Sequence, residues 1–415
     1  MTARLMILWI IVTAQVTCLA QPSWKHIKFS ELASTRIMFS IHCDADNNIY
    51  LGRAGSLEIW DGTKWTLYDK EHTKIDALNG FDIRDIKFSG NGFWASTNDG
   101  LLHFDGSKFK NYYPPNTPTM YSPYIRGISI DRNGDIWFTS HAAAISKFDA
   151  TTDTVINYQI DYHTVPIPLY DSEVQIDSDD NMWYYEGKKI VKFKDSTATV
   201  FDTTSVPFLG LGSISSAQQL KDSSLLFISK KCLITYKKGV WDTLSIPAGV
   251  LSDTLEFSKC RLDDKDNLWI LIHRNGSMHY PMIYKVEGTN WTKIVIPMLD
   301  GDTFLPIVDF CFDRKGKLWL AASDRGIYIF DPYYNSITDY NASNHCEIKI
   351  SPNPVKDILS INSDNYKSNS KIQIFSILGI KILETAFTTT FDLSSLPPGI
   401  YFIRLGNEYK KFVKE

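Results

Sequence analysis

Apolar and polar residues alternate along most of this chain in short runs, and the runs are divided by turns rich in Gly, Asn and Asp. Alternation with a period of two marks strands that bury one face, and Gly, Asn or Asp supplies the positive φ that a tight hairpin needs. Ile128-Ser129-Ile130-Asp131-Arg132-Asn133-Gly134-Asp135-Ile136-Trp137-Phe138-Thr139 reads as strand, turn, strand. Gly92-Phe93-Trp94-Ala95-Ser96-Thr97 and Gly100-Leu101-Leu102-His103-Phe104-Asp105-Gly106 read as the next two strands of such a unit, and Lys108-Phe109-Lys110-Asn111-Tyr112 as its last.

The pattern recurs. Its Trp or equivalent falls at Tyr50, Trp94, Trp137, Trp183, Phe227, Trp269 and Trp319, spaced by 44, 43, 46, 44, 42 and 50 residues. A period of this size with four short strands is the signature of β-propeller blades. The expected fold is therefore all-β, a seven-bladed propeller. The unit around Phe227 is degenerate, which leaves six or eight blades open. Trp24-Lys25-His26-Ile27-Lys28-Phe29 looks like a lone outer strand able to close the ring on the last blade, and Asn335-Ser336-Ile337-Thr338-Asp339-Tyr340 competes for that place.

The pattern changes style at both ends. Residues 1–20 have the make-up of a cleavable signal peptide: Arg4, an apolar stretch from Leu5 to Val12, and Cys18-Leu19-Ala20 before Gln21, with cleavage expected between Ala20 and Gln21. The stretch is short for a membrane span, and no later segment reads as a transmembrane helix. The propeller is expected over 21–341, a linker over 342–346, and a small antiparallel β-sandwich over 347–415.

Composition narrows the function. The chain has 415 residues, 13% of them aromatic, with 11 Trp, 21 Tyr and 23 Phe, and a formal net charge of −4. That balance argues against a nucleic-acid partner. Six scattered Cys with no CxxC pair exclude a finger-type zinc site and a full disulfide framework. One or two disulfides stay open in an oxidising compartment, and burial as small hydrophobes is the expected role of most of them.

The blade units resemble two-component-regulator propeller repeats and the related virginiamycin-B-lyase-like repeats, on the strength of Gly134-Asp135-Ile136-Trp137-Phe138-Thr139 and its copies. The likeness covers about residues 24–340. It implies an extracytoplasmic sensing or binding module, although no kinase region follows here. The C-terminal stretch resembles a type IX secretion system sorting domain of type A. The residues that carry this are Pro352-Asn353-Pro354, the Ile374-Phe375-Ser376-Ile377-Leu378-Gly379 strand and turn, and Pro398-Gly399-Ile400-Tyr401. The resemblance implies a Gram-negative bacterium, passage through the periplasm, contact with the type IX machinery, and release or retention at the outer-membrane surface.

Candidate chemistry is sparse. Asp44-x-Asp46-x-Asn48, Asp131-x-Asn133-x-Asp135, Asp177-x-Asp179-x-Asn181 and Asp263-x-x-Asp266-Asn267 have oxygen spacings suited to calcium, or to turns closed by side-chain hydrogen bonds; the second is expected. No other cofactor or metal is expected. No HxH, HExxH, GxSxG or P-loop pattern occurs. A lyase or hydrolase at the propeller mouth would have to use His141 and His273, which follow the Trp strands of the third and sixth units. A binding function fits better. Arg84 and Arg126 hold equivalent inner-strand positions, with Glu173 and Asp309 one residue further along. Tyr112-Tyr113-Pro114-Pro115 and Tyr121-Ser122-Pro123-Tyr124 offer aromatic faces. The expected function is binding of a glycan or protein at the cell surface; a structural or adhesive surface protein is the third reading.

Overall fold

A computed structural model describes residues 23–73, 82–140, 145–158, 165–166, 172–274, 277–297, 305–332, 349–362, 371–376, 381–405 and 408–415. The chain divides into two compact units, described over 23–332 and 349–415. The expected leader, its Ala20–Gln21 junction, His141, Gly379, the competing strand at 335–340 and the linker boundaries lie outside the described residues.

The first unit holds seven four-stranded antiparallel sheets among its described residues, six of them from consecutive strands. The innermost strands are Met38–Cys43, Ile83–Ser89, Ile125–Ile130, Gln175–Ile176, Ile214–Gln219, Leu255–Leu262 and Ile307–Phe312, which we number blades 1 to 7. Blade 7 takes its outer strand from the other end of the chain. Ser23–Ile27 pairs antiparallel with Gly326–Asp331, Trp24 opposite Phe330. The ring is therefore closed by the N-terminal strand of the pair of alternatives. Gly326 makes this approach possible: its φ is +95°, and a Cβ there would sit 2.1 Å from the Ile27 carbonyl oxygen.

The second strand of a blade is the core of the unit. Ile49–Arg53, Gly92–Thr97, Leu225–Ser229 and Leu318–Ala322 are buried throughout. The Trp on this strand faces the next blade. Trp94 meets Phe148, Trp137 meets Phe193, Trp183 meets Tyr236 and Trp269 meets Phe312, all with ring centroids 4.7–5.9 Å apart. Truncating a buried aromatic of this kind costs about 3–5 kcal/mol.

The turns that precede Trp137, Trp183, Trp269 and Trp319 are built to hold them. Asp131 Oδ1 accepts the Asn133 and Asp135 amides at 2.8 and 3.1 Å, and its Oδ2 accepts Trp137 Nε1 at 2.9 Å. The same clasp joins Asp177 to Trp183, Asp263 to Trp269 and Asp313 to Trp319, while Asp44 accepts the Tyr50 hydroxyl. The fourth residue of each turn has positive φ, as at Asn47, Gly134, Asp180, Asp266 and Gly316.

This geometry corrects the fifth unit. Leu220 N–H donates to Ser224 O and Ser223 has φ +64°, so Leu220 stands where the other turns have Asp. Six residues on is Leu226, not Phe227. Leu226 packs toward blade 6 as a Trp should, whereas Phe227 packs back onto Trp183 of blade 4. Both partners of the clasp have become Leu together.

Every clasp carboxylate spends its lone pairs on N–H or O–H donors, and a bound cation would have to displace them. Burial alone would raise the Asp263 carboxyl, but hydrogen bonds from Trp269, Asn267 and Lys265 hold it below its ordinary value. Asp263→Ala should lower stability by about 1–3 kcal/mol by orphaning buried donors. The loss should be full above the ordinary carboxyl pKa and fade as pH falls below it. Chelator should leave the thermal midpoint of the wild-type protein unmoved; differential scanning calorimetry checks both.

Near the ring closure, a buried ion pair ties down the segment that follows the closing strand. Arg53 Nη2 lies 2.7 Å from Glu58 Oε2, and both side chains are fully enclosed. Arg53 Nη1 also donates to the Arg36 carbonyl, and Glu58 Oε1 accepts the Ala33 amide, each at 2.5 Å.

The second unit stacks a three-stranded sheet and a four-stranded sheet around Val355, Leu359, Ile372, Ile374, Ile403 and Phe412. It is the small sandwich expected from its alternating strands.

Candidate functional site

All inner strands start at one rim of the ring and end in tight turns at the other, five of them Asp turns. The starting rim carries the long connections, such as residues 113–124 and 202–213, and the links between described strands at the other rim are tight turns. Loops of the first kind are where a propeller presents binding residues.

Inner strands of six blades shift register by one residue near their start, as a β-bulge does. The residue after the shift is Ser40, Asp85, Ser216, Lys259 or Asp309 in five of them and Ile128 in blade 3, and Glu173 matches the five because it lies four before Asp177 as Asp309 lies four before Asp313. Several of these side chains reach the next blade. Glu173 Oε2 accepts the Ala217 amide at 2.7 Å, Ser216 Oγ accepts the Cys260 amide at 3.3 Å, and Asp309 Oδ2 accepts the Ile41 amide at 3.3 Å. This is a repeated staple between neighbouring inner strands.

Glu173 and Asp309, equivalent by sequence, are brought together by a residue the sequence reading missed. Arg261 of blade 6 reaches Glu173 of blade 4 at 3.0 Å and Asp309 of blade 7 at 3.1 Å. A contact between blades 4, 6 and 7 can only cross the axis. Lys259 adds a second cation on Asp309 at 3.0 Å, and Lys87 pairs with Asp85 at 3.1 Å. Three carboxylates thus face three cations around the axis.

The electrostatics follow from burial and pairing. Burial alone would lower the Arg261 pKa, but Asp309 and Glu173 outweigh it and raise it. Burial alone would raise the Asp309 carboxyl, but Lys259 and Arg261 hold it well below the carboxylate range. His42, whose Nε2 lies 3.8 Å from Asp85, is pushed down to about 4 by burial and is neutral at pH 7.

Arg84 and Arg126 each lie nearer the starting rim than the residue after the shift in their strands, by one and two residues. Arg84 pairs with Asp82 at 3.0 Å and lies 4.7 Å over the Phe39 ring. Arg126 contributes its carbonyl to Ser96 Oγ of blade 2. The Tyr-rich connections divide in role. Tyr112 is buried and donates to Asp153, whereas Tyr121 and Tyr124 are 61% and 50% exposed on the connection that leads straight into Arg126. His273 lies at the end of a second strand opposite Glu256, where burial pushes its pKa down to about 4. Its Nε2 has no hydrogen-bond partner among the described residues.

In the second unit, the Pro352-Asn353-Pro354 motif covers a sheet edge. Asn353 Nδ2 donates to Lys411 O at 3.1 Å and its Oδ1 accepts the Val413 amide at 2.9 Å, as a strand backbone would. Val355 continues the pairing to Val413 and Glu415. Pro398-Gly399 opens the strand Gly399–Leu405, and Tyr401 stacks on Phe412 and donates to the Pro397 carbonyl.

Comparison with known proteins agrees with both halves. Residues 349–415 match the family described as the secretion system C-terminal sorting domain. No curated protein matches the chain in sequence. Among solved structures, virginiamycin B lyase of Staphylococcus aureus, captured inactive with quinupristin, is similar at a TM-score of 0.57 and 16% identity, over 75% of this chain and 99% of its own. The extracellular domain of a putative hybrid two-component system of B. thetaiotaomicron is similar at 0.58 and 14%, over 94% of this chain and 54% of its own. PorZ, a surface component of the type IX secretion system of Porphyromonas gingivalis, is similar at 0.54 and 14%, over 92% of this chain and 60% of its own. The last two are thus considerably longer than the region they share with this chain. Identities this low establish the fold alone. The chain is an exported seven-bladed β-propeller that ends in a secretion-system C-terminal sorting domain.

Proposed function

We propose that this protein is a binding module carried across the outer membrane by a type IX secretion system, taking a glycan or protein ligand on the starting rim of the propeller. The observation that carries this is the exposed pair Tyr121 and Tyr124 beside Arg126, on the rim with the long connections. The charges around the axis already pair with one another, which favours a ligand on the rim. Exposed aromatic faces stack on sugars or peptide side chains. Export on the sorting domain places the rim where such ligands occur.

Catalysis at the mouth is the weaker reading, since the enclosed Nε2 of His273 meets no hydrogen-bond partner among the described residues. Turnover lost on His273→Ala would promote it. A glycan array and a pull-down with the mature full chain test the binding reading. Tyr121→Ala/Tyr124→Ala should weaken whatever is captured by about tenfold or more, as loss of a central aromatic contact does. Val240→Ala, on the outer strand of blade 5, should bind as wild type. Equal loss in both variants, or no capture at all, overturns the proposal.

A further inference from the structure

Ring closure in this protein sets two thiols against one inter-blade core. Cys43 ends the inner strand of blade 1 and Cys311 lies in the inner strand of blade 7. Alternate residues of a strand share a face. Asp309 reaches the Ile41 amide of blade 1, so Cys311, two residues on, looks at blade 1 as well. Ile41 packs with Trp319 and Ala321 of blade 7, so Cys43, two residues on, looks at blade 7. The offset between Ile41 and Asp309 is repeated between Cys43 and Cys311, with both bulges lying earlier in the strands. Both cysteines pack against the same inter-blade core. Below them, Asn47 Oδ1 accepts the Arg314 amide at 2.6 Å, so the two turns also touch.

The structure holds both residues as thiols. We propose that Cys43 and Cys311 form a disulfide that latches blade 1 to blade 7 once the chain has left the cytoplasm. The step is a thiol–disulfide exchange with a disulfide donor of the envelope, of the dithiol oxidoreductase class. One thiolate attacks the donor disulfide, the second thiolate displaces it, and the donor leaves with both electrons and both protons as two thiols. The bond would covalently join the two blades that are otherwise held by the Ser23–Ile27 strand and side-chain contacts. Burial pushes the Cys43 thiol up to about 12 and raises the Cys311 thiol well above its ordinary value, which keeps both unreactive once the ring has packed. Exchange therefore belongs to folding, before the core seals. Cys232 and Cys260 serve as controls, because Cys260 faces Ser216 at 3.7 Å and Cys232 belongs to the core between blades 4 and 5.

The test uses the full mature chain, refolded with oxidised glutathione and separately with a reductant. Alkylation under denaturing conditions is followed by peptide mapping without reduction. The expected result is one cross-linked pair of peptides holding Cys43 and Cys311, a mass lower by two hydrogens, and alkylated Cys232 and Cys260. The oxidised wild type should melt higher than the reduced wild type. The Cys43→Ser/Cys311→Ser variant should melt as the reduced wild type does, whichever redox buffer is used. Recovery of Cys43 and Cys311 as separate alkylated thiols from refolded, native-like protein overturns the proposal, as does a disulfide joining any other pair.

Discussion

Replacing Arg261 with Met should cost the propeller about 3–5 kcal/mol, the usual loss when one partner of a buried ion pair is removed and the other stays charged. Arg261 answers Glu173 and Asp309 at once; Asp309 is 1% exposed, so water cannot take over its missing contact, while Glu173 at 18% keeps some access to solvent. Lys259 still pairs with Asp309, which keeps the loss from doubling. The effect has a pH signature. In the wild type the cations outweigh burial and depress the Asp309 pKa. A depressed carboxyl adds stability that is full above the unfolded value, near 4, and is lost as pH falls toward the folded value. Arg261→Met has less of that stability to lose, so the two stability curves should separate near neutral pH and converge in acid. Adding Glu173→Gln to the variant should recover part of the loss by removing a stranded charge. Urea titrations at several pH values check this. Parallel curves would show that Arg261 acts through packing alone.

Deleting the closing strand should be more damaging still. A chain that begins at Phe29 lacks the partner of Gly326–Asp331, a strand whose residues are all buried in the intact ring. Trp24 lies 5.0 Å from Phe330 and His26 stacks on Tyr328 at 4.3 Å, so the deletion strips ring contacts along with the backbone ladder. The exposed product is a long apolar edge, the arrangement most prone to pair with another chain. The Arg53–Glu58 pair would lose purpose as well, since it anchors the connector at Ala33 and Arg36. Loss of soluble monomer is expected, measured by size-exclusion chromatography of refolded protein. A peptide of residues 22–32 added during refolding should restore part of it. A monomeric, cooperatively melting deletion variant would mean that the ring closes without this strand.

The blade count was legible because the Trp strand is the most buried element and repeats with a near-constant period. Reading stumbled at blade 5, where Leu220 and Leu226 replace Asp and Trp together and leave the neighbouring Phe227 as the only aromatic in view. Ring closure by Trp24 was one of two alternatives in the sequence, since both segments alternate and only pairing with Tyr328 and Phe330 distinguishes this one. The equivalence of Glu173 and Asp309 was visible from spacing. Their engagement was not, because Arg261 comes from a different blade and the β-bulge that exposes the neighbouring amides leaves no compositional trace. Tyr112 and Tyr121 looked alike in sequence; burial separated a packing residue from a surface one. The C-terminal motifs were plain as text, yet the task of Asn353 as an edge cover needed the partner strand Glu408–Lys414 to be placed beside it.

The account assigns export to residues 349–415 and ligand contact to the propeller. Protease accessibility on intact cells tests that division most directly, comparing the full chain with one ending at residue 348. The full chain should be cut by added protease or recovered from the medium, while the shortened chain should stay protected inside the envelope with its propeller folded. A shortened chain that reaches the surface or the medium as well as the full one would contradict the account.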